Sequence, residues 1–222
     1  MKEVAFLAIL AGALAFAAHR PDLPPAAIRR WNLRTEPTPL SRVLLGPVPG
    51  RPDLVTAICD YQDGWWGFFG VYRLSSGRVR WQAAVDVEPD EQSIHSIRGL
   101  QLQGFRNPII EVFGKTHMGN GNLYLYELRD RTLVLLLTTR AVDFHWSDGS
   151  TFRTGLLNTG YPDLNGDGFS DVVLEGSVEE RAGDVNAIIH SEPWRQVFHW
   201  DPKLGLFSED VSSRAGVPEY FD

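Results

Sequence analysis

Short runs of apolar and β-branched residues, separated by turn residues, recur along most of this chain. The runs fall at 54–59, 68–74, 79–85, 109–113, 123–128, 133–139, 152–157, 172–174, 185–189 and 197–200. Between them lie Asp63-Gly64, Ser76-Gly77, Asn120-Gly121, Arg129-Asp130, Asp148-Gly149 and Lys203-Leu204-Gly205. Strands this short at such even spacing predict an antiparallel all-β protein. No amphipathic helix stands out beyond the N-terminal segment.

The pattern also repeats. Residues 163–173 read DLNGDGFSDVV, 99–109 read GLQLQGFRNPI and 45–55 read LGPVPGRPDLV. Aligned without gaps, Gly50, Gly104 and Gly168 coincide, as do Asp53, Asn107 and Asp171. Each segment runs on into strand-like stretches. The first reaches Gly70–Leu74 and Val79-Arg80-Trp81, the second Asn122–Tyr126 and Leu133–Leu136, the third Val197–Pro202 and Gly205-Leu206-Phe207. Units of about 55 residues with about four strands have the size of a propeller blade. The expected architecture is a propeller-like array of about three blade-sized repeats over 45–222. Either one more divergent blade lies in 19–44 and 140–160, or the array is open.

Composition narrows the class. The 222 residues include 43% hydrophobic and 22% charged positions, as a folded globular chain should. A net charge of −7 speaks against a nucleic-acid partner, which would need a basic face. One cysteine, Cys59, excludes an internal disulfide framework and a cysteine-rich zinc site. It lies in an apolar strand-like run, where a buried, inert thiol is expected. Lys2 precedes an unbroken small and apolar run from Val4 to Ala18, too short for a membrane span. With the small-x-small sequence Ala15-Phe16-Ala17, residues 1–18 read as a cleaved signal peptide, so the mature protein is expected in the periplasm or outside the cell. A buried helix or an uncleaved anchor are the alternatives. A proline-rich extended lead-in follows over 19–44, holding Pro21, Pro24, Pro25, Pro37 and Pro39.

One motif carries chemistry. In the nine residues from Asp163 to Asp171, Asp163, Asn165, Asp167 and Asp171 supply oxygen side chains at positions 1, 3, 5 and 9. Gly168 at position 6 allows a sharp turn, and Phe169 at position 7 offers a backbone carbonyl. Such alternation can aim several oxygens at one hard cation, and three carboxylates this close repel one another without one. An EF-hand starts the same way but needs a glutamate at position 12 and flanking helices. Position 12 is Leu174, a strand-like run follows, and Pro162 disfavours an entering helix. A metal-free turn rich in Asp, Asn and Gly is the plain alternative.

The DLNGDGFSDVV segment resembles the calcium loop of FG-GAP or VCBS-type repeats, which occur in integrin-like propellers and many exported bacterial proteins. The stretch from Phe198 to Phe207 resembles the blade-closing hairpin of such proteins. The resemblance covers most of 45–209. It implies one structural Ca2+ held by Asp163, Asn165, Asp167, Asp171 and the Phe169 carbonyl. The other units lack the ligands. The second has Gly99, Gln101, Gln103 and Asn107 at these positions; the first has Leu45, Pro47, Pro49 and Asp53.

Other clusters give no catalytic motif. Asp143–Asp148 puts two acids beside His145, where a catalytic or metal pair is conceivable and an exposed turn around Asp148-Gly149 is the plainer reading, and His95, His117, His190 and His199 are scattered. Glu111, Glu127 and Asp143 are the candidates for a glycosidase-like carboxylate pair. Trp65-Trp66-Gly67-Phe68-Phe69 is either blade core or an aromatic platform for a sugar or a protein. The expected function is a non-enzymatic, calcium-binding interaction module for a protein or glycan, with an inhibitor of a cell-wall-degrading enzyme as one form of it. A polysaccharide hydrolase on the same scaffold is the alternative.

Overall fold

The computed structural model describes residues 40–218 apart from 62–66, 76–77, 86–91, 117–119, 131, 148–149 and 183–186. The signal-peptide segment, most of the lead-in, Trp65-Trp66, His117 and the Asp148-Gly149 turn therefore lie outside the described residues. Within them the chain is all-β and antiparallel, with one short 3-10 turn at Val211–Ser213. No helix among these residues is long and apolar enough to cross a membrane.

The strands are β1 (Leu40–Val48), β2 (Arg51–Tyr61), β3 (Gly67–Ser75), β4 (Arg78–Val85), β5 (Gln92–Leu100) and β6 (Ile109–Thr116). They continue with β7 (Gly121–Arg129), β8 (Thr132–Ser147), β9 (Ser150–Gly160), β10 (Val172–Ala182), β11 (Ile188–Asp201) and β12 (Leu206–Glu209). Each strand pairs with its sequence neighbours. β1–β4 form one four-stranded sheet and β5–β12 an eight-stranded one. Strand β8 serves two partners in turn: it pairs with β7 up to Val142 and with β9 from Asp143 onward.

Packing turns this into three layers. On β6, Ile110 and Val112 face the first sheet, while Ile109 and Phe113 face the opposite way. On β7, Tyr124, Tyr126 and Leu128 join Val48, Leu54 and Val71 of the first sheet in one core. Leu123 and Leu125 join Val172, Leu174, Trp194, Phe198 and Phe207 in the other. The β5–β8 part is thus buried on both faces, with β9–β12 folded over it beyond Val142. Two-sided burial explains why β6 and β7 read as continuous apolar runs instead of a clean alternation.

The three repeated segments occupy one structural position. They form the first hairpin turn of each group of strands: between β1 and β2, between β5 and β6, and between β9 and β10. Gly50, Gly104 and Gly168 all have positive φ, at 69°, 82° and 90°, which is why glycine recurs there. The loops also touch in series. A Cβ on Gly50 would lie 3.8 Å from Gln101 Oε1, and one on Gly104 would lie 2.4 Å from the Phe169 ring.

Several expectations need correction. Residues 140–160 belong to β8 and β9 and form no separate blade. Residues 40–44, read as lead-in, lie in β1. The runs at 185–189 and 197–200 are two parts of the single strand β11, although 185–186 themselves are not described. Pro193 lies on the edge of β11 away from β10, which beyond the β12 pairing at Phe198–Asp201 carries a single bridge among the described residues, from Arg195 to Ala215, and so asks no ladder hydrogen bond of the proline nitrogen.

Replacing Gly50 or Gly104 with alanine separates backbone strain from clash. Both substitutions should cost about 1–2 kcal/mol for a left-handed non-glycine residue. Only Gly104→Ala also drives a methyl into Phe169 and to 2.8 Å from the Gly168 carbonyl. Thermal melts should show a clearly larger loss for Gly104→Ala; equal losses would mean the loops are not packed as described.

Candidate functional site

The loop from Tyr161 to Asp171 joins β9 to β10, and its polar side chains first satisfy its own backbone. Asp163 Oδ1 accepts from Gly166 N at 2.8 Å and Oδ2 from Gly168 N at 3.1 Å. Asn165 Oδ1 accepts from Asp167 N at 3.0 Å, and Asp167 Oδ1 from Phe169 N at 2.8 Å. Asp171 Oδ2 accepts from Leu164 N at 2.8 Å. Asp and Asn are suited to this because a short side chain reaches backbone N–H groups two or three residues on. Gly166 and Gly168, at φ 74° and 90°, permit the tight path.

The second loop holds the third in place. Gln103 N donates to Ser170 Oγ and Ser170 N to the Gln103 carbonyl, both at 3.0 Å. The Gln103 side chain donates from Nε2 to Asp163 Oδ2 at 3.2 Å. Beneath, Phe105 packs edge-on against Phe169 at 5.7 Å and Trp200 at 4.9 Å, and lies over Phe207 at 5.8 Å. Phe105 and Phe169 are the same position in successive repeats.

All the nominated ligands are oxygen donors, as a hard cation requires. Asp163, Asn165 and Asp167 lie on the exposed side of the loop. A carboxylate oxygen has two lone pairs, so one accepted N–H leaves room for an ion on Asp163 Oδ1 and on both Asp167 oxygens. The exposed end therefore fits calcium. The buried end is already engaged: Asp171 is fully buried, and its Oδ1 lies 2.9 Å from His199 Nδ1. Neither of those two atoms makes an aligned hydrogen bond, so the contact is an ion pair by proximity. Among the described residues, no three His, Cys, Asp or Glu side chains converge as metal ligands do.

In the other two loops, internal contacts stand where an ion would sit. Gln101 Nε2, at position 3, donates to the carbonyl of Phe105, at position 7, at 3.0 Å. Arg51 reaches Asp53 at 3.1 Å in the first loop. The third loop has an amide contact of its own, Asn165 Nδ2 donating to Asp167 Oδ2 at 3.0 Å, but sets it among three carboxylates where the second loop has none and the first has one.

His199 also reaches Asp210, its Nε2 lying 3.5 Å from Oδ2. The Ser212 and Ser213 hydroxyls, with the Ser212 N–H and His199, hold Asp210 well below the usual carboxylate range. Burial works against a charged His199 ring, yet the close carboxylate of Asp171, then that of Asp210, outweighs it and raises its pKa. Sequence reading treated His199 as one of several scattered histidines; only the pairing of β10 with β11 sets it beside Asp171.

Each candidate hydrolytic carboxylate is engaged by an arginine of its own. Glu111 is held by Arg98 at 2.5 and 2.8 Å and accepts from the Tyr161 hydroxyl. Glu127 is held by Arg129 at 2.6 Å and Asn107 at 2.9 Å, and Asp143 by Arg140 at 3.0 Å. All three acids are buried, and their arginines extend outward to water. Burial, with the negative charge of Glu111 and the hydrogen bond to it, raises the Tyr161 pKa far above its ordinary value, so the phenol stays protonated. A groove of about 460 Å³ opens above Glu111, between β5–β8 and β9, and Glu111 is its one acidic lining residue.

A raised histidine pKa stabilises the fold fully below the unfolded value of 6.5 and ceases to do so as pH rises through the folded value. With chelator present, wild type should melt well above His199→Gln at about pH 5. That gap should narrow on the alkaline side of the folded pKa, and a gap unchanged with pH would remove His199 as a charged link.

Compared with protein-family models, curated proteins and solved structures, the chain gives no match.

Proposed function

We propose that this chain is an exported binding module of three successive blade-like sheets, propeller-like in plan, whose third hairpin loop takes one structural calcium ion. Asp163, Asn165 and Asp167 would hold the ion with the Phe169 carbonyl, and Asp171 would join them by giving up part of its contact with His199. When bound, the ion would neutralise the loop's carboxylates. The observation that carries the reading is the difference among three equivalent loops. The first has one carboxylate, paired with Arg51, and the second has none, whereas the third gathers Asp163, Asp167 and Asp171 with only the Asn165 amide as an internal side-chain donor.

The module would use calcium to fix a surface. Loop 161–171 is bonded to the second loop through Gln103 and Ser170 and rests on Phe105, Trp200 and Phe207. Ordering it therefore sets the junction of the second and third layers. Around it Leu164, Leu204 and Leu206 are exposed, which suits contact with a protein or glycan partner. An inhibitor of a cell-wall-degrading enzyme is one form such a partner relation takes. Separate ion pairing of Glu111, Glu127 and Asp143 makes the hydrolase reading the weaker one.

An ion that binds only the folded chain stabilises it by about 2.7 kcal/mol at a hundredfold excess over its dissociation constant. Calcium should raise the melting temperature by several degrees relative to chelator, and titration calorimetry should give about one site per chain. Asp167→Ala should remove both responses. Gln103 touches Asp163, so it is no neutral control; Asp53→Ala, in the first loop, should retain both responses. No heat of binding in wild type, or an unchanged response in Asp167→Ala, would end the calcium reading.

A further inference from the structure

The groove between the second and third layers has the features of a small-molecule site. Its volume of about 460 Å³ lies within the range of ligand pockets. The floor is a fixed polar unit: Glu111 gripped by two nitrogens of Arg98, capped by the Tyr161 hydroxyl, with the Arg98 guanidinium 5.9 Å over the Tyr161 ring. The acid is buried and its arginine half exposed, so the pair holds a guanidinium in a fixed position at the groove floor.

The walls say what would bind. Arg98 spends Nε and one terminal nitrogen on Glu111, and its side chain remains half exposed, which leaves further N–H groups free to donate. Across the groove, Arg153 on β9 is exposed and forms no ion pair among the described residues. Glu179, opposite it in the β9–β10 register, is instead held by Arg181 at 2.6 Å. The lining therefore carries one uncompensated positive charge in a chain of net charge −7. Ser96, Asn158 and Thr159 add hydroxyl and amide partners, while Phe113 and Leu156 offer apolar surface.

The backbone is shaped to the same end. The β9–β10 register slips between Glu175 and Gly176, leaving Leu157 as an extra residue that stands out at 76% exposure on the groove rim. A second slip on β5 lies between Ile94 and Ser96, at the other rim. Bulges of this kind re-aim side chains beside binding sites. Gly155 lines the groove, and a Cβ there would meet nothing within 4 Å.

We infer that this groove binds a small anionic, hydroxyl-rich molecule, an acidic sugar of one or two rings, with its carboxylate between Arg153 and the free nitrogens of Arg98. The inference rests on reading the chain as a binding module and names the site and ligand class for it. It does not depend on calcium, although Tyr161 ties the groove floor to the start of the loop.

The test uses the full chain with glucuronate, glucose and acetate as probes, followed by ligand-observed NMR and calorimetry, in calcium and in chelator. Glucuronate should bind in at least one of the two conditions, and glucose about tenfold more weakly, as loss of a charged hydrogen bond implies. Acetate should bind more weakly than glucuronate, since it lacks the ring. Arg153→Gln should reduce glucuronate binding to the level of glucose, and Gly155→Ile, which fills the groove without left-handed strain, should abolish both. Melting curves of the two variants show that they are folded. Absence of glucuronate binding in both conditions, equal binding of glucose or acetate, or unchanged binding in a folded Arg153→Gln or Gly155→Ile would overturn the inference. None of these results bears on calcium, which the heat of calcium binding reports separately.

Discussion

Both faces of the β5–β8 layer are buried, and the rest of the molecule is arranged around that constraint. A strand aims successive side chains to opposite faces, so β6 and β7 have to be apolar at nearly every position to serve two cores. Ile109 and Ile110 are neighbours in sequence and belong to different cores. A one-residue slip in these strands would exchange the two sets of side chains and disrupt both interfaces at once. The first sheet and the β9–β12 layer each need only one apolar face, and β10 accordingly turns polar after Gly176.

Burying a layer on both sides makes its polar residues costly, and the molecule meets that cost in a uniform way. Glu111, Glu127 and Asp143 are each gripped by an arginine whose stem leads out to solvent. The long side chain lets the acid stay inside while the cation remains partly hydrated. Asp171 is the exception, since its partner is a histidine, and that partner links the β9–β10 loop to the C-terminal turn through Asp210. The same loop is tied to the second layer through Gln103 and to its own layer through Phe169 and Trp200. A change in that loop is therefore felt in the contact between layers.

The turns between first and second strands show how a repeat diverges while its geometry stays. Each keeps a glycine of positive φ at the same position. The groups around that turn have changed from an arginine–aspartate pair, to an amide on a carbonyl, to three aspartates around an asparagine amide. The steric demand at the glycine is met by one residue type alone, whereas the polar demand has several solutions.

Much of the fold was legible in the sequence. The alternation of short apolar runs with turn residues marked most strands, because strand period and turn chemistry are local properties. The Gly50, Gly104 and Gly168 alignment marked three equivalent turns, because positive φ at a hairpin selects glycine wherever it occurs. Strand β5 escaped notice, since Gln92–Leu100 is too polar to announce itself and pairs with β6 through a bulge. The loop chemistry of Asp163–Asp171 was also local and readable. Which groups surround it was not: Gln103 lies 60 residues from Asp163, and His199 reaches Asp171 only once β10 and β11 pair. Likewise Glu111, Arg98 and Tyr161 come from two strands and a loop, and nothing in their spacing joins them. Sequence determined the elements because backbone preference acts over a few residues. Tertiary structure decided the partners of each charge and the existence of the groove, because both depend on how separate sheets are laid against one another.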